Sequence, residues 1–446
     1  MRSKMLFPLL LLLALPLQAA EPAGKLYKRV ALRDYPDQFY AAWLPEGAQE
    51  RPFPLLVVLD PRGRALEAMD LFLPAAQRLG WIVVSSYESL SDEGSERNAV
   101  TMPALLAEIE RKMLVAERRV YIAGFSGTSR TAYDLALRLG ENAGGVIANC
   151  GGLPPGVLMA RVPFAYFGAT GTLDYNYAET LRLAEAQERL GATNRVEIFE
   201  GEHAWGPPAM MSRALYWLEL QAIRNDLRPR DRALIAEIFA GDLAAAETRT
   251  PLERLAAYRQ LERDFAGMLD LGMLPARRAA LEKDEAVRAA RKERDDLLSL
   301  EEGYRLKVAQ WRQAFTQTEL PLPLGRSMSM LLIPSLQKEA AGEGDAALSA
   351  QRRLRVAFSE SNHYLPYRLE AGSQLRHAAA SYELATQVRP ESARAHVNLA
   401  RAELRIGRQE EARKALSRAL ELGAERGQIV ADAALAPLLA QKNAAR

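Results

Sequence analysis

Short apolar runs alternate with amphipathic stretches over the first half of the chain. Runs rich in Val, Ile, Leu and Phe, bounded by Gly, Pro or Asp, predict strands, several of them buried on both faces. The predicted strands span residues 26–32, 38–44, 53–59, 81–85, 119–123, 145–149, 163–168 and 195–199. Between them, apolar residues spaced three and four apart predict helices. The predicted helices span residues 66–79, 101–114, 129–139, 177–190 and 209–224.

The order of these elements predicts the fold class. The first two strands are joined by a turn sequence, Asp-Tyr-Pro-Asp at 34–37, and we expect them to pair antiparallel. Repeated strand–helix units follow, and they predict an α/β fold whose mostly parallel sheet has helices on both faces. In such a sheet the active site lies at the carboxyl ends of the strands.

The second half of the chain is predicted to be helical. Residues 228–358 are rich in Ala, Leu, Glu and Arg, contain few β-branched residues and are interrupted by prolines. Within them, residues 318–332 are predicted as a structured or mobile loop, and the charged stretch 277–296 as a solvated helix face. The predicted organisation is a leader 1–20, an α/β domain 21–225, a helical linker region 226–360 and a repeat region 361–446.

Small and apolar residues recur in the C-terminal region with a period of about 34 residues. The recurring positions are Leu399, Ala400, Ala412, Leu416 and Ala419, and, one period earlier, Ala378, Tyr382, Ala385 and Pro390. This spacing resembles the tetratricopeptide repeat, although any tight helical hairpin uses Ala in the same way. We expect Pro366 to disrupt the first helix of the earlier unit and residues 429–439 to form a capping helix. The resemblance implies a module that binds a protein partner.

The first twenty residues have the layout of a secretory signal peptide. Arg2 and Lys4 precede a Leu-rich apolar run, and Gln-Ala-Ala at 18–20 supplies small residues for cleavage. A membrane anchor is the alternative, but the run is short for a span. The sequence therefore predicts a periplasmic or secreted protein with no membrane span after signal removal.

Charge and cysteine content narrow the function classes. The 446 residues include 58 basic and 56 acidic ones, and removing Arg2 and Lys4 with the signal peptide leaves 56 of each. This balance does not favour a nucleic-acid partner. Cys150 is the only cysteine, so it has no internal disulfide partner and is expected to be buried and inert. The four histidines lie far apart, so the sequence shows no metal-ligand spacing.

The sequence Val-Tyr-Ile-Ala-Gly-Phe-Ser-Gly at 120–127 carries the candidate nucleophile. A predicted strand runs into Gly124, turns sharply at Ser126 and leads into a helix. Such a turn lifts a serine hydroxyl clear of the backbone and directs the next amide, that of Gly127, at a developing oxyanion. The common pattern Gly-x-Ser-x-Gly is broken at its last position, where Thr128 stands.

A serine nucleophile needs a base and an acid that orients the base. His203 is the only histidine of the α/β domain and follows its last predicted strand. Asp174 follows the preceding strand, so the order Ser126, Asp174, His203 is that of a hydrolase triad. Asp174 as a helix N-cap is the structural alternative, although Asn176 serves that role as well. Glu202 is a poorer candidate acid, because neighbouring side chains point apart.

A second oxyanion donor is expected in the loop after the strand 53–59. That loop reads Asp60-Pro61-Arg62-Gly63, and Pro61 has no amide hydrogen. The predicted oxyanion hole therefore consists of the Gly127 amide and that of Arg62 or Gly63.

These motifs resemble the α/β-hydrolase superfamily, and most closely its secreted esterases related to polyhydroxybutyrate depolymerases and feruloyl esterases. The matching segments are Val-Tyr-Ile-Ala-Gly-Phe-Ser-Gly, Gly-Thr-x-Asp-Tyr-Asn-Tyr and Gly-x-His-x-Trp-x-Pro-Pro, within residues 26–224. The resemblance implies hydrolysis of an ester, less often an amide, through an acyl-enzyme. It implies a small-molecule or polymeric ester substrate and no cofactor or metal.

Two other functions remain open at this point. Thr128 and the sequence Asp60-Pro61 depart from the family pattern, which favours a catalytically inactive scaffold that binds through its helical half. A serine peptidase on the same fold is the second alternative, because the motifs do not separate ester from peptide substrates.

Overall fold

The computed structural model describes residues 24–91, 98–154, 156–157 and 160–440, so the predicted signal peptide lies outside the described residues. Within these ranges, eight strands form one sheet. They are β1 (Gly24–Ala31), β2 (Phe39–Pro45), β3 (Phe53–Leu59), β4 (Ile82–Ser86), β5 (Val115–Phe125), β6 (Ala143–Asn149), β7 (Ala165–Gly171) and β8 (Asn194–Phe199).

The sheet has the order β1-β2-β4-β3-β5-β6-β7-β8. β1 pairs antiparallel with β2, and β2 with β4, whereas every later neighbour is parallel. This topology confirms the predicted α/β-hydrolase fold with its mostly parallel sheet.

Side chains of the central strands alternate between two apolar layers. Leu55 and Val57 of β3 lie in the cluster on one face, and Leu56 and Val58 lie in the cluster on the other. Because both faces are covered, every residue of β3 is buried, which explains its continuous apolar sequence.

Among the described residues, six helices flank the sheet. They are α1 (Ala65–Asp70), α2 (Leu73–Leu79), α3 (Asn98–Lys112), α4 (Gly127–Leu139), α5 (Tyr177–Arg189) and α6 (Pro208–Arg224). The prediction of a single helix over residues 66–79 is wrong, because the chain breaks between α1 and α2. Pro74 lies in the first turn of α2, a position that tolerates proline, whereas the interior of a longer helix does not.

The strand register brings the catalytic candidates to one edge. Leu59 pairs with Gly124, Phe125 with Asn149 and Gly171 with Phe199, so the carboxyl ends of these strands are level. The loops that leave this edge carry Asp60, Ser126, Cys150, Asp174 and His203. This is the placement expected of an active site in a parallel sheet.

The rest of the described chain is helical, as predicted. The helices are α7 (Arg232–Glu247), α8 (Pro251–Phe265), α9 (Leu274–Lys283), α10 (Glu285–Thr316), α11 (Leu324–Met330), α12 (Ile333–Ala340), α13 (Gly344–Ser359), α14 (Leu365–Ala371), α15 (Leu375–Val388), α16 (Ala393–Arg405), α17 (Gln409–Glu421), α18 (Arg426–Ala431) and α19 (Ala436–Ala440). We call residues 232–440 the helical extension. None of the described helices combines the length and apolar character that crossing a bilayer requires.

Two predictions within the extension need correction. The stretch 318–332 is not all loop, since it contains α11, which begins directly after Pro323. The predicted capping helix 429–439 is broken into α18 and α19. Asp432 causes the break, because its carboxylate accepts hydrogen bonds from the amides of Ala434 (2.9 Å) and Leu435 (3.3 Å) and turns the chain.

The regular α-helical pattern is interrupted directly before Pro366, although the helical run does not end there. A π-helical turn at 360–364 joins α13 to α14, and Pro366 lies in the first turn of α14. The missing amide hydrogen would leave the Ser361 carbonyl without a helical donor in the π pattern. The Ser381 hydroxyl supplies the hydrogen bond instead, at 2.9 Å.

The extension packs on the α/β domain through apolar and ionic contacts. Leu220 and Ile223 of α6 share a cluster with side chains of α7 and α8, among them Ile235. Arg195 at the start of β8 is buried and pairs with Asp242 of α7 at 2.6 Å. Repeated hairpins form the C-terminal end, where Ala400, Ala412, Leu416 and Ala419 are buried. Their assignment as tetratricopeptide repeats stays a prediction.

Candidate active site

Ser126 occupies a strained turn between β5 and α4. Its φ of 55° lies in the left-handed region, which is unusual for a residue with a side chain. The turn requires Gly124, since a Cβ there would lie 2.2 Å from the Thr128 carbonyl oxygen. Strand and helix therefore pass as closely as the sequence pattern predicts.

Thr128 strengthens this turn although it departs from the common motif. Its buried hydroxyl donates to the Leu59 carbonyl at 2.7 Å and accepts from the Phe125 amide at 3.1 Å. It thus ties the end of β3 to the end of β5. Thr128 is therefore compatible with the sharp turn at Ser126, and its presence does not weigh against Ser126 as a nucleophile.

His203 lies beside Ser126, in the loop between β8 and α6. The distance between Ser126 Oγ and His203 Nε2 is 2.8 Å, which is a hydrogen bond. Phe125 and Tyr175 pack against the imidazole, with ring centroids at 4.8 Å and 4.2 Å. The ring is held in place by two aromatic side chains as well as by its hydrogen bonds.

Asp174 is fully buried and contacts the other ring nitrogen. His203 Nδ1 lies 2.8 Å from Asp174 Oδ1, so the pair fits the tautomer that leaves Nε2 able to accept the serine proton. The carboxylate also accepts from the Asn176 amide (2.8 Å) and the Thr170 hydroxyl (3.1 Å). Burial acts to raise the pKa of Asp174, but the adjacent His203 and the Asn176 amide outweigh it and hold the pKa below its ordinary value.

The alternative roles considered for the neighbouring residues do not match the geometry. Asn176 is at the N-cap position of α5, yet its side-chain amide donates to the Cys150 carbonyl at 2.8 Å instead of capping the helix. Glu202 points away from the imidazole and pairs with Arg355 of the helical extension at 2.6 Å. The acid that meets the base is therefore Asp174.

The predicted oxyanion donors are only partly presented. Gly127 is the first residue of α4, so its amide has no acceptor within the helix. The amides of Arg62 and Gly63, in contrast, both donate within their own loop, to the Asp60 carboxylate at 2.9 Å and to the Asp60 carbonyl at 3.0 Å. In this structure neither is directed at a substrate oxygen, because the Asp60 turn uses both.

Asp60 instead links its own loop, which follows β3, to the loop between β8 and α6 that carries His203. Its buried carboxylate accepts from Trp205 Nε1 at 3.0 Å and from Arg64 at 2.8 Å. Burial raises the pKa of Asp60, but the hydrogen bonds from Arg64 and Trp205 outweigh it and give a lowered pKa. Asp60 therefore stays ionised and fixes Trp205, two residues after His203.

Ser91 is a side chain at the elbow that the sequence did not point to. A Cβ built at Gly127 would lie 2.4 Å from Ser91 Oγ, so this hydroxyl lies against the elbow. It is buried and has no hydrogen-bond partner among the described residues. A buried hydroxyl without a partner is costly unless a ligand or water completes it.

Tyr175 is a second site residue that the sequence analysis missed. Its hydroxyl lies 2.9 Å from His203 Nε2 and 3.1 Å from the Tyr364 hydroxyl of the helical extension. Burial raises the pKa of Tyr175 well above its ordinary value, so the phenol remains a hydrogen-bond donor. Its place directly after Asp174 was the only available indication, since the contact with Tyr364 joins distant parts of the chain.

Cys150 lies beneath the acid and the base. Its thiol donates to the Ala204 carbonyl at 3.2 Å, and its sulfur, an Asp174 oxygen and a His203 nitrogen lie within 4.8 Å of one another. Metal binding at such a trio requires a thiolate. Burial raises the pKa of the Cys150 thiol well above its ordinary value, and His203 is already engaged with Asp174. The trio therefore fits a hydrogen-bonded support for the acid better than a metal centre.

Comparison with known proteins gives a likeness at the level of the fold. No family model and no curated protein matches the chain. Among solved structures, a ferulic acid esterase is similar at 16% identity and a TM-score of 0.36, covering 44% of this chain and 97% of its own. An S-formylglutathione hydrolase from Staphylococcus aureus has 15% identity and a TM-score of 0.36, covering 44% and 97%. An esterase from Pyrobaculum calidifontis has 13% identity and a TM-score of 0.38, covering 46% and 88%.

Proposed function

We propose that this protein is a serine hydrolase that cleaves carboxylic esters through an acyl-enzyme. The observation that carries the proposal is the chain of two hydrogen bonds, each 2.8 Å, from Ser126 Oγ to His203 and from His203 to Asp174. The strained backbone at Ser126 supports it, because such strain persists where the surrounding structure holds a functional residue in place.

The proposed reaction has two steps. His203 Nε2 takes the proton of Ser126 as the hydroxyl oxygen attacks the ester carbonyl carbon, and the proton then passes to the departing alkoxide. Water attacks the acyl-enzyme in the second step with His203 again as base, which releases the acid and restores Ser126. Asp174, ionised because of its lowered pKa, stabilises the imidazolium in both steps.

The developing oxyanion needs two donors. The Gly127 amide is the first, at the N-terminus of α4. We propose the Ser91 hydroxyl as the second, because it lies against Gly127 and lacks a partner among the described residues. The Arg62 or Gly63 amide serves this role only if the Asp60 turn opens. Ser91→Ala is then expected to lower kcat by about a hundredfold with little change in KM, and an unchanged kcat would remove Ser91 from the mechanism.

Labelling with a fluorophosphonate probe tests the proposal without a known substrate. The wild-type protein is expected to be labelled at Ser126, and Ser126→Ala is expected to resist labelling and to lose turnover of p-nitrophenyl butyrate. Ser129→Ala is the matched control, since Ser129 lies one turn along and bonds the Ser126 carbonyl rather than His203. Failure of the wild type to label would favour the inactive scaffold instead.

Ester and peptide substrates are separated by a direct panel. We expect hydrolysis of p-nitrophenyl esters and none of p-nitroanilide peptides, and the opposite result would favour a peptidase.

We also propose export through the segment 1–20, tested by measuring the mass of the protein from a periplasmic extract, which locates its mature N-terminus. Protein binding through residues 361–440 is a separate proposal, for which pull-down with the full chain is the test.

A further inference from the structure

A strongly basic cavity lies between the catalytic loops and the helical extension. It has a volume of about 420 Å³, a size that suits a small-molecule ligand. Its lining includes Tyr175 and Asn176, from the loop that carries Asp174, and residues of α10, α13 and the π-helical turn. The charged side chains that line it are Arg130, Arg305, Arg312, Arg368 and Glu360.

The carboxylates near this cavity do not balance its arginines. Glu360 pairs with both Arg312 (3.2 Å) and Arg368 (2.8 Å). Likewise, Glu179 lies 2.6 Å from Arg130 and 3.7 Å from Arg305. Each carboxylate thus faces two guanidinium groups, and the cluster keeps two positive charges in excess.

Such an excess is unfavourable in a partly enclosed space. Guanidinium groups that share one carboxylate repel each other, and solvent screens them less there than on an open surface. An anionic group in the cavity would relieve that repulsion. Arginine is suited to this task, because its planar group of donors matches a carboxylate or a phosphate with two parallel hydrogen bonds.

One residue of the cavity wall also contacts the proposed catalytic base. Tyr175 lines the cavity, and the hydroxyl of the same residue lies 2.9 Å from His203 Nε2. Arg130 also lines it and lies one helical turn beyond Ser126, in α4. A group bound among the arginines would therefore lie near residues that flank Ser126 and His203.

We propose that this cavity binds the negatively charged end of the substrate, so that the protein prefers esters bearing a carboxylate or a similar anion. The inference rests on the proposed esterase function and deepens it. It assigns selection of the substrate to the helical extension, which contributes Arg305, Arg312, Arg368 and Glu360, and the cleavage chemistry to the α/β domain.

Pairs of esters that differ only in charge test this preference. Mono-p-nitrophenyl suberate is compared with p-nitrophenyl octanoate for an anion on the acyl side, and para-acetoxybenzoate with its methyl ester for one on the leaving group. In at least one pair the anionic ester is expected to have a kcat/KM higher by about tenfold or more, the effect of one added hydrogen bond to a charged group. Equal rates in both pairs, or faster neutral esters, would overturn the proposal.

Charge variants identify the cavity as the origin of the preference. Arg312→Gln and Arg368→Gln are expected to reduce it about tenfold through KM, whereas Glu360→Gln, which adds to the excess charge, is expected to increase it. Arg291→Gln, on the exposed part of α10, is the matched control and should leave the preference unchanged. A preference that survives both arginine variants, or moves in the same direction in all variants, would contradict the assignment.

Binding without turnover separates this inference from the proposed function. Free suberate is titrated calorimetrically into Ser126→Ala and into the same variant with Arg312→Gln. Binding to the first that weakens about tenfold in the second supports the cavity even if no ester is hydrolysed. Absence of binding together with normal hydrolysis of neutral esters would overturn the cavity and leave the proposed function standing.

Discussion

The carboxylate of Asp174 acts only as a hydrogen-bond acceptor. Asp174→Asn is therefore an informative variant, because it replaces one acceptor with a donor. Oδ1 receives both the His203 Nδ1 proton and the Asn176 amide, at 2.8 Å each. Oδ2 receives the Thr170 hydroxyl at 3.1 Å. An asparagine at this position has one acceptor and one donor, so its orientation decides which partner is lost.

The hydrogen-bond partners favour one orientation. If the NH₂ group faced His203 it would oppose two donors, whereas on the Thr170 side it meets a hydroxyl that can turn and accept. Asp174→Asn should therefore keep the imidazole tautomer and lose only the charge. Two opposite charges about 4 Å apart attract by about 4 kcal/mol at an effective dielectric constant near 20, which corresponds to a loss of about a thousandfold in kcat.

The assay is kcat for p-nitrophenyl butyrate, with folding checked by the urea midpoint. We expect kcat to fall by about a thousandfold and KM to change little. A loss beyond about ten-thousandfold would mean that the wrong tautomer forms and would refute the donor argument. A loss below tenfold would remove Asp174 as the orienting acid. Glu202→Gln is the control, because that carboxylate pairs with Arg355 instead of His203.

Three other side chains give further tests. Thr128→Val leaves two buried backbone groups without their partner and should lower the free energy of unfolding by about 2 kcal/mol or more in urea, whereas Thr128→Ser should cost less than about 1 kcal/mol. Tyr175→Phe removes the donor that competes for the single lone pair of His203 Nε2, so kcat should rise by up to about tenfold; a fall would show that the phenol works in turnover. Burial of Glu197 raises the pKa of its carboxyl group, but Arg195 and Arg213 have a larger opposite effect, so the pKa is lowered. The contribution of Glu197 to the stability of the fold is therefore fully present above its ordinary pKa of 4.5 and is lost as the pH falls through the lowered pKa. Glu197→Gln should accordingly make the fall of Tm in acid less steep.

The sheet could be predicted from the sequence because its strands are covered on both faces. A strand such as β3 needs apolar residues at every position, and this pattern is visible without neighbours. Strand ends were less visible where the chain is exposed. β5 begins at Val115, four residues before the predicted start, because Val115 already pairs with Phe53, whereas the exposed polar residues Glu117 and Arg118 lie at a register shift that hides this start in the sequence. Apolar pattern reports burial, whereas pairing depends on backbone hydrogen bonds.

The three residues of the candidate triad could be located because chain order and strand order constrain each other. Once Ser126 is at the end of one strand, the acid and the base must come from loops that reach the same edge. The contacts of Tyr175 with Tyr364 and of Glu202 with Arg355 carry no such constraint. They join segments far apart in sequence, and helix periodicity does not say which exposed residue faces another domain.

The polar groups of the helical extension converge on the loops that hold the acid and the base. Arg352, buried and paired with Glu301 at 2.6 Å, donates to the Thr172 carbonyl at 2.9 Å. Arg305 bonds the Tyr175 carbonyl, and Arg355 pairs with Glu202 beside the histidine. The extension thus supports the loops that carry Asp174 and His203, and in the proposed cavity it supplies most of the charge proposed to select a substrate. Because Arg312 and Arg368 pair with Glu360 rather than with these loops, a change at either arginine would alter which ester is cleaved while the triad geometry stays as it is.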